Sequence, residues 1–484
     1  MTEYLTTIGL EFHAELKTKT KIFCSCPTDA GGEPNTHVCP VCLGLPGVLP
    51  VLNRHAVELA VMAGLALNCQ IAEYSKFDRK NYFYPDLPKG YQVTQYPMPI
   101  CHDGYIDLPL ADGAMRHVRI NRIHLEEDAG KLVHSGEHIQ DSHYSLPDYN
   151  RAAVPLIEIV TEPDITSAEE ARNFGESLRL ILLYAGVSDV RMEQGSLRCD
   201  VNISVRPADS AALGVKVEIK NLNSFRSVYR AIQYEEQRQR ELLAGGGSVV
   251  QETRLWDEAS GETRAMRSKE DAHDYRYFPE PDLVPVVIDA AWLAEIAEKL
   301  PELPAARQQR FESELGLSHY DAGQLVISPP LARFFDAVYT LFPEAKTVAN
   351  WLLGDISRLL NESDAELDAV PLDASEFAYL LSEVKKGAIN QASAKTVLEE
   401  MFRQGGKAAE IIAAYGFAQI SDSGALQAQV EQVLIANAQP VADYRAGKKA
   451  ALGFLVGQVM KQTRGQANPA MVRELLEKAL ESEN

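Results

Sequence analysis

The sequence predicts an α+β protein in which a strand-rich part, residues 1–292, precedes a helical remainder. Two patterns predict this: period-two alternation in the first part and helical apolar spacing in the second. Length agrees, since 484 residues at a loose prior of about 150 per domain suggest roughly three domains. Alternation opens the chain in Ile8-Gly-Leu-Glu-Phe-His-Ala-Glu15, where even positions are apolar and odd ones small or polar. It recurs in Arg198–Arg206: Cys199, Val201, Ile203 and Val205 share one face, and Asp200, Asn202 and Ser204 the other. Asn53 is placed to cap a helix carrying Val57, Ala60, Val61 and Leu65. A second helix stops near Leu243, ahead of Gly245-Gly246-Gly247. Strands mixed with helices, with no strict βαβ rhythm, give an α+β domain.

Beyond residue 292 the apolar period is helical. Phe377, Leu380, Leu381 and Val384 mark one helix face, and Leu426, Val430, Val433 and Leu434 another. Gly387, Gly405-Gly406 and Gly416 punctuate the intervals, and a boundary near Gly405 divides residues 293–405 from 406–484. No apolar run approaches the roughly 18 residues that span a bilayer. Met1–Leu10 has neither a basic nor an apolar signal region, so a cytoplasmic protein is expected.

Charge sets the next bound. The chain has 47 Lys and Arg against 68 Asp and Glu, a net charge of −21. A surface gripping nucleic acid all over would be basic, so only local binding is open to it. One local exception exists. From Pro440 to Arg473 the cations Arg445, Lys448, Lys449, Lys461, Arg464 and Arg473 face Asp443 alone. Leu452, Phe454, Leu455, Val456 and Val459 can pack a small core that turns those cations outward. A solvated helix face and a docking site for a polyanion such as RNA both fit.

Seven cysteines without a signal peptide argue against a disulfide framework. Four of them, Cys24-x-Cys26 and Cys39-Pro-Val-Cys42, are spaced to form a tetrahedral thiolate set with no position left open for water. Structural zinc or a similar metal is the expectation; two unrelated pairs of reduced thiols are the alternative. The isolated Cys69, Cys101 and Cys199 fit apolar positions and are expected to be buried fillers. Glu11, His13 and Glu15 lie on one face of the first strand and could hold a hard divalent cation. Two further carboxylates sit among apolar residues. Period two sets Glu127 beside Ile123 and Leu125, and Glu158 between Leu156 and Val160. Each needs a partner, either a metal or a salt bridge to Arg122 or Arg151. Neither a P-loop nor a dinucleotide fingerprint occurs. Basic and aromatic residues are dense in Asp78–Asp86, Lys89–Gln92 and Asp274–Asp282. Such segments can brace a domain, or Arg79, Lys80 and Lys89 can neutralise a triphosphate.

Ile8–Leu16, Phe77–Asp86, His124–Lys131 and Pro155–Asp164 together resemble the B subunit of bacterial aspartyl/glutamyl-tRNA amidotransferases, the GatB family. Gly195–Ser204, Glu218–Ser224, Asp274–Asp282, Gly453–Met460 and Gly465–Pro469 carry the resemblance to the tail with no missing block. It implies a glutamine-synthetase-like cradle domain over 1–292, an all-α connecting domain over 293–405 and a small all-α, tRNA-binding tail over 406–484. It implies an ATP-dependent reaction in which the side chain of misacylated Glu-tRNA(Gln) or Asp-tRNA(Asn) becomes an acyl phosphate and then an amide. An amidase subunit would supply ammonia from glutamine, and a small third subunit would complete a heterotrimer. By the same resemblance Glu11, His13, Glu127 and Glu158 match the site of a Mg²⁺ ion, with Glu126 as a near neighbour. Mn²⁺ would tolerate the histidine better. Some family members lack the four cysteines, so zinc there would support the loop and not the chemistry.

Two other readings fit the sequence. A non-catalytic tRNA-binding scaffold would have no reason to gather Glu11, His13, Glu127 and Glu158 around a cation. A free-standing ATP-dependent amide ligase would need its own ammonia source, and no amidase nucleophile is identifiable.

Overall fold

The computed structural model describes residues 3–29, 31–110, 113–135, 143–266, 274–417, 423–463 and 467–481. The chain divides into two compact units, residues 1–304 and 305–484. In the first, the strands in chain order are β1 (Tyr4–Glu15), β2 (Gln70–Ile71), β3 (Tyr74–Ser75), β4 (Asp78–Asn81), β5 (Tyr91–Thr94) and β6 (Cys101–Pro109). They continue with β7 (Met115–Glu127), β8 (Lys131–His134), β9 (Ser145–Asp148), β10 (Pro155–Thr161) and β11 (Leu197–Pro207). The last are β12 (Val217–Leu222), β13 (Glu252–Asp257), β14 (Glu262–Ala265), β15 (Phe278–Pro279) and β16 (Val286–Val287). Helices α1 (Arg54–Ala66), α2 (Ala168–Tyr184) and α3 (Phe225–Ala244) are inserted between strands. The fold is α+β.

Nine strands form one sheet in the order β14-β13-β12-β11-β1-β10-β7-β6-β2. All neighbours are antiparallel except β12 and β13. A separate small sheet has the order β15-β4-β5. Alternation in β1 is regular: Ile8, Leu10, Phe12 and Ala14 are buried, and the residues between them are half-buried. The apolar face continues across Ile157 and Ile159, Ile123 and Leu125, and Cys199, Val201 and Ile203 into one core with α1, α2 and α3. There Phe12 meets Phe174 of α2 with ring centroids 6.1 Å apart.

The helix ends follow from the residues predicted to make them. The Asn53 side chain accepts from the His55 N–H at 2.9 Å and starts α1. Gly245 caps α3, and Gly246, in the left-handed region at φ +79°, turns the chain away. Cys101 and Cys199 are buried, as fillers should be, while Cys69 is only half-buried.

In the second unit the helix Ala374–Lys385 buries Phe377, Leu380 and Leu381, and Val384 lies half-buried at its margin. A core built from Leu426, Val430, Val433, Leu452, Leu455, Val459, Val472, Leu476 and Leu480 holds the last helices together. Phe454, expected in that core, is 49% exposed instead. The core face of its helix is set by Leu452, Leu455 and Val459, and Phe454 falls beside exposed Gly453 and Gly457. Among the described residues no helix is long and apolar enough to cross a membrane.

One close approach is informative. Gly64 of α1 lies so near β6 that an added Cβ would be 2.4 Å from Cys101 Sγ and 2.8 Å from Ile71 Cδ1. Gly64→Val should destabilise the first unit by about 1–3 kcal/mol through overpacking, although valine is no worse a helix former than glycine. A lower thermal midpoint for the variant checks this; an unchanged midpoint would mean that helix and sheet separate freely there.

Candidate active site and metal centre

The polar face of the large sheet assembles the site through strand register. Pairing sets His13 of β1 opposite Glu158 of β10, and Glu158 opposite His124 of β7. On the other flank His13 faces Arg198, and Glu11 faces Asp200, of β11. Directly opposed residues share a face, so one row reads Arg198, His13, Glu158, His124. His13 Nε2 lies 3.4 Å from Glu158, 3.7 Å from Glu126 and 3.8 Å from Glu11. His124 Nε2 lies 3.2 Å from Glu158 and 3.5 Å from Glu126. Two overlapping sets of ligand atoms result, His13–Glu126–Glu158 and Glu11–His13–Asp200, each lying within 4.8 Å of one another.

Burial and ion pairing oppose one another in this cluster. Glu158 is held well below the usual carboxylate range: burial opposes its charge, but His124 and His13 outweigh it. Glu126 is lowered in the same sense, against burial, chiefly by His124. Burial also resists charging His124, yet Glu158 and Glu126 raise its imidazole to about 9. Glu11 is raised by burial and then by Glu158. Glu15 is pushed up to about 7 by burial and then by Asp128. Asp128 is itself bound by Arg198 at 2.9 Å and by Arg151 at 3.4 Å. Of the arginines considered as partners for Glu158, Arg122 approaches to 3.7 Å and Arg151 serves Asp128 instead. The histidines are the closer partners.

Glu127 does not join this cluster, and the reason is the period of two. It belongs with Ile123 and Leu125 on the opposite face of β7, where Lys89 Nζ binds its carboxylate and the Val93 N–H donates to it at 2.8 Å. Glu126 occupies the place expected of Glu127, and accepts from Thr94 Oγ1 of β5 at 2.9 Å. His124 and Asp200 were missed by motif reading. The signal that finds them is alignment across strands, because each sits opposite a residue already suspected.

The three cations expected to meet phosphate have different surroundings. Arg79 makes two hydrogen bonds to buried Glu280, at 2.6 and 2.8 Å, and reaches Asp282 at 3.1 Å. Lys89 is matched by Glu127. Lys80 lies over aromatic rings, its Nζ 4.9 Å from the centre of Tyr275 and 6.0 Å from that of Tyr82. Of the tail cations, Arg445 ends the helix Ala438–Arg445, Lys448 approaches Asp443 at 3.2 Å, and Lys449 and Lys461 are exposed. Arg464 lies outside the described residues.

The four clustered cysteines do converge, with all four Sγ atoms within 4.8 Å of one another. Cys39 and Cys42 Sγ are 3.9 Å apart. A tetrahedron with 2.3 Å zinc–sulfur bonds has edges of about 3.8 Å, so this donor set fits zinc. Cys42 is pulled down to about 5, chiefly by the hydrogen bond from Cys24 and with help from the Cys39 backbone and Lys21, while burial pushes Cys26 up to about 11. The purified protein should contain one zinc per chain, and Cys39→Ser with Cys42→Ser should lose it and lower the thermal midpoint. Elemental analysis checks this; zinc-free protein, or zinc retained by the double variant, would overturn the assignment.

Comparison with known proteins adds to this geometry. Residues 6–294 match the family described as the GatB/GatE catalytic domain, and residues 333–480 match the GatB domain. The B subunit of the aspartyl/glutamyl-tRNA(Asn/Gln) amidotransferase of Moorella thermoacetica is 56% identical over 478 residues, covering 99% of this chain and 100% of the relative. The protein of the same name from Carboxydothermus hydrogenoformans is 54% identical over 476 residues, 98% of each chain. A chain similar over its whole length to such proteins, with an acid–histidine cluster on the matched catalytic region, belongs to the GatB family.

Proposed function

We propose that this chain is the catalytic B subunit of a tRNA-dependent amidotransferase that converts Glu-tRNA(Gln), Asp-tRNA(Asn) or both to the amide. The observation that carries the reading is the convergence of His13, Glu126 and Glu158 on the polar sheet face, beside Glu11 and Asp200. A carboxylate is a poor acyl donor, so a leaving group must be made. In the proposed reaction an oxygen of the substrate's side-chain carboxylate attacks the γ-phosphorus of ATP, and ADP departs. Ammonia then attacks the acyl carbon, phosphate leaves, and the nitrogen gives up a proton to become the amide. Working parts of 1–292, 293–405 and 406–484 complete the proposal, together with an amidase subunit that hydrolyses glutamine, a small third subunit and a cytoplasmic setting.

The donor set suits a hard divalent cation, Mg²⁺ or Mn²⁺, because most of its atoms are carboxylate oxygens. Such an ion, when bound, supplies charge neutralisation between nucleotide and attacking oxygen. Glu11, His13, Glu126 and Glu158 would hold it, and Glu127 keeps Lys89 in place. Lys80, which has rings for neighbours, is the cation assigned here to phosphate; Arg79 and Lys89 are matched by carboxylates within the fold. A non-catalytic scaffold is disfavoured, since buried carboxylates this close repel one another and cost stability unless a cation or chemistry requires them.

Reconstitution with the amidase and the small third subunit, followed by assay of tRNA-dependent ATP cleavage, tests the reading. His13→Ala, Glu126→Gln and Glu158→Gln should each lower the rate at least about 100-fold, more than the loss of an outer-shell partner costs. The glutaminase reaction of the amidase should remain. Glu127→Gln should leave the magnesium dependence at wild-type concentrations. Normal transamidation by folded His13 and Glu158 variants would overturn the site.

For the tail, replacing Lys448, Lys449 and Lys461 together by alanine should weaken tRNA binding and flatten its salt dependence by about one logarithmic unit for each phosphate no longer neutralised. Affinities at two salt concentrations decide this. An unchanged slope would make those cations a solvated face only.

A further inference from the structure

Four tyrosines from three separate segments form a continuous ladder at the margin of the acid cluster. Tyr82 meets Tyr275 edge-on with centroids 6.1 Å apart, and Tyr275 meets Tyr277 at 5.9 Å. Tyr277 and Tyr96 stack in parallel at 4.3 Å with their planes 5° apart. Tyr96 is 55% exposed. Tyrosines that brace a fold anchor their hydroxyls. Among the described residues, none of these four hydroxyls has a hydrogen-bond partner.

Its backbone is clamped. Asn81 donates from its N–H to Tyr275 O at 2.9 Å and from its side chain to Arg276 O at 2.8 Å. Arg276 is held in the left-handed region at φ +46°, which side-chain-bearing residues rarely adopt. The far end is fixed by Arg79 on Glu280 and by the Glu280 N–H on Phe77 O at 3.0 Å.

The ladder also lies close to the chemistry. Thr94 donates to Glu126, and Tyr96 follows two residues later, at most about 7 Å further along the chain. The Lys80 ammonium stands over Tyr275. A stacked ring pair with a half-exposed outer ring, a cation beside the adjoining ring and a cation-binding cluster two residues away along the chain match an adenosine with its 5′ phosphate. Both substrates of the proposed reaction carry one: ATP, and the terminal adenosine that bears the aminoacyl ester of the tRNA.

We propose that Tyr82, Tyr96, Tyr275 and Tyr277 form a stacking platform for the adenine ring of a substrate whose reacting end lies at the acid cluster. The inference rests on the transamidase reading for the identity of the substrates, and its test does not require turnover. Equilibrium binding of ATP, of aminoacylated tRNA and of tRNA lacking its terminal adenosine is measured on the complex with the amidase and the small third subunit. The proteins compared are the wild type, Tyr96→Leu, Tyr277→Leu and the corresponding phenylalanine variants. One base–aromatic stack corresponds to at least about fivefold in affinity. Loss of that size by the leucine variants for intact tRNA, but not for shortened tRNA, assigns the platform to the terminal adenosine. The same loss for ATP assigns it to the nucleotide. The phenylalanine variants should bind as the wild type does, because they keep the ring. Unchanged affinity for both ligands in the leucine variants, or equal loss in the phenylalanine variants, would overturn the platform. Absence of transamidation by the wild-type complex would overturn the functional reading alone.

Discussion

The antiparallel register of β1 between β10 and β11 is the constraint on which the site depends. It sets His13 opposite Glu158 and Arg198 at once, and β10 passes the row on to His124. A slip of one residue in β1 would turn Phe12 toward the polar face and His13 into the apolar core, because side chains alternate with period two. The core prevents this. Leu10, Phe12 and Ala14 are buried against the helices, so the interaction that stabilises the fold also aligns the chemistry.

That alignment brings together groups that repel one another. Glu126 and Glu158 are both buried, and both stay ionised because two imidazoles lie between and beside them. Glu11 and Glu15, with weaker compensation, are raised instead. The cluster is thus graded: its centre is anionic and paired with histidine, and its margins are held nearer to neutrality. Asp128 with Arg198 and Arg151 closes one margin, and Lys220, 3.1 Å from Asp200, closes another. Unequal carboxylates of this kind are common at functional sites.

Around the cluster the two faces of one strand have different tasks. On β7, Glu126 turns to the site and Glu127 turns away to Lys89. Lys89 also lies against the cysteine loop, packing so closely that a Cβ on Gly44 would meet its side chain. The cysteine loop, Lys89 and the end of β7 therefore support one another.

The sequence by itself determined which residues are apolar and with what period, and hence the strand β1, the helix caps at Asn53 and Gly245, the thiolate quartet and the small tail core. Those features are local: they depend on side chains a few positions apart. Periodicity singled out Glu11, His13, Glu127 and Glu158 one by one, and the family resemblance grouped them as one metal site. What the sequence left open was every choice that depends on pairing between distant segments. The sequence points to Glu127, with Glu126 as a near neighbour; the pairing of β7 with β10 puts Glu126 at His13 instead. His124 and Asp200 carry no local signal at all, since each acquires its role from the strand beside it. Arg79 and Lys89 read as free cations until tertiary packing supplies Glu280 and Glu127 as their partners. Phe454 reads as a core residue until neighbouring helices define which face is covered. In each case the deciding quantity is a distance between residues far apart in sequence, and only the folded chain fixes it.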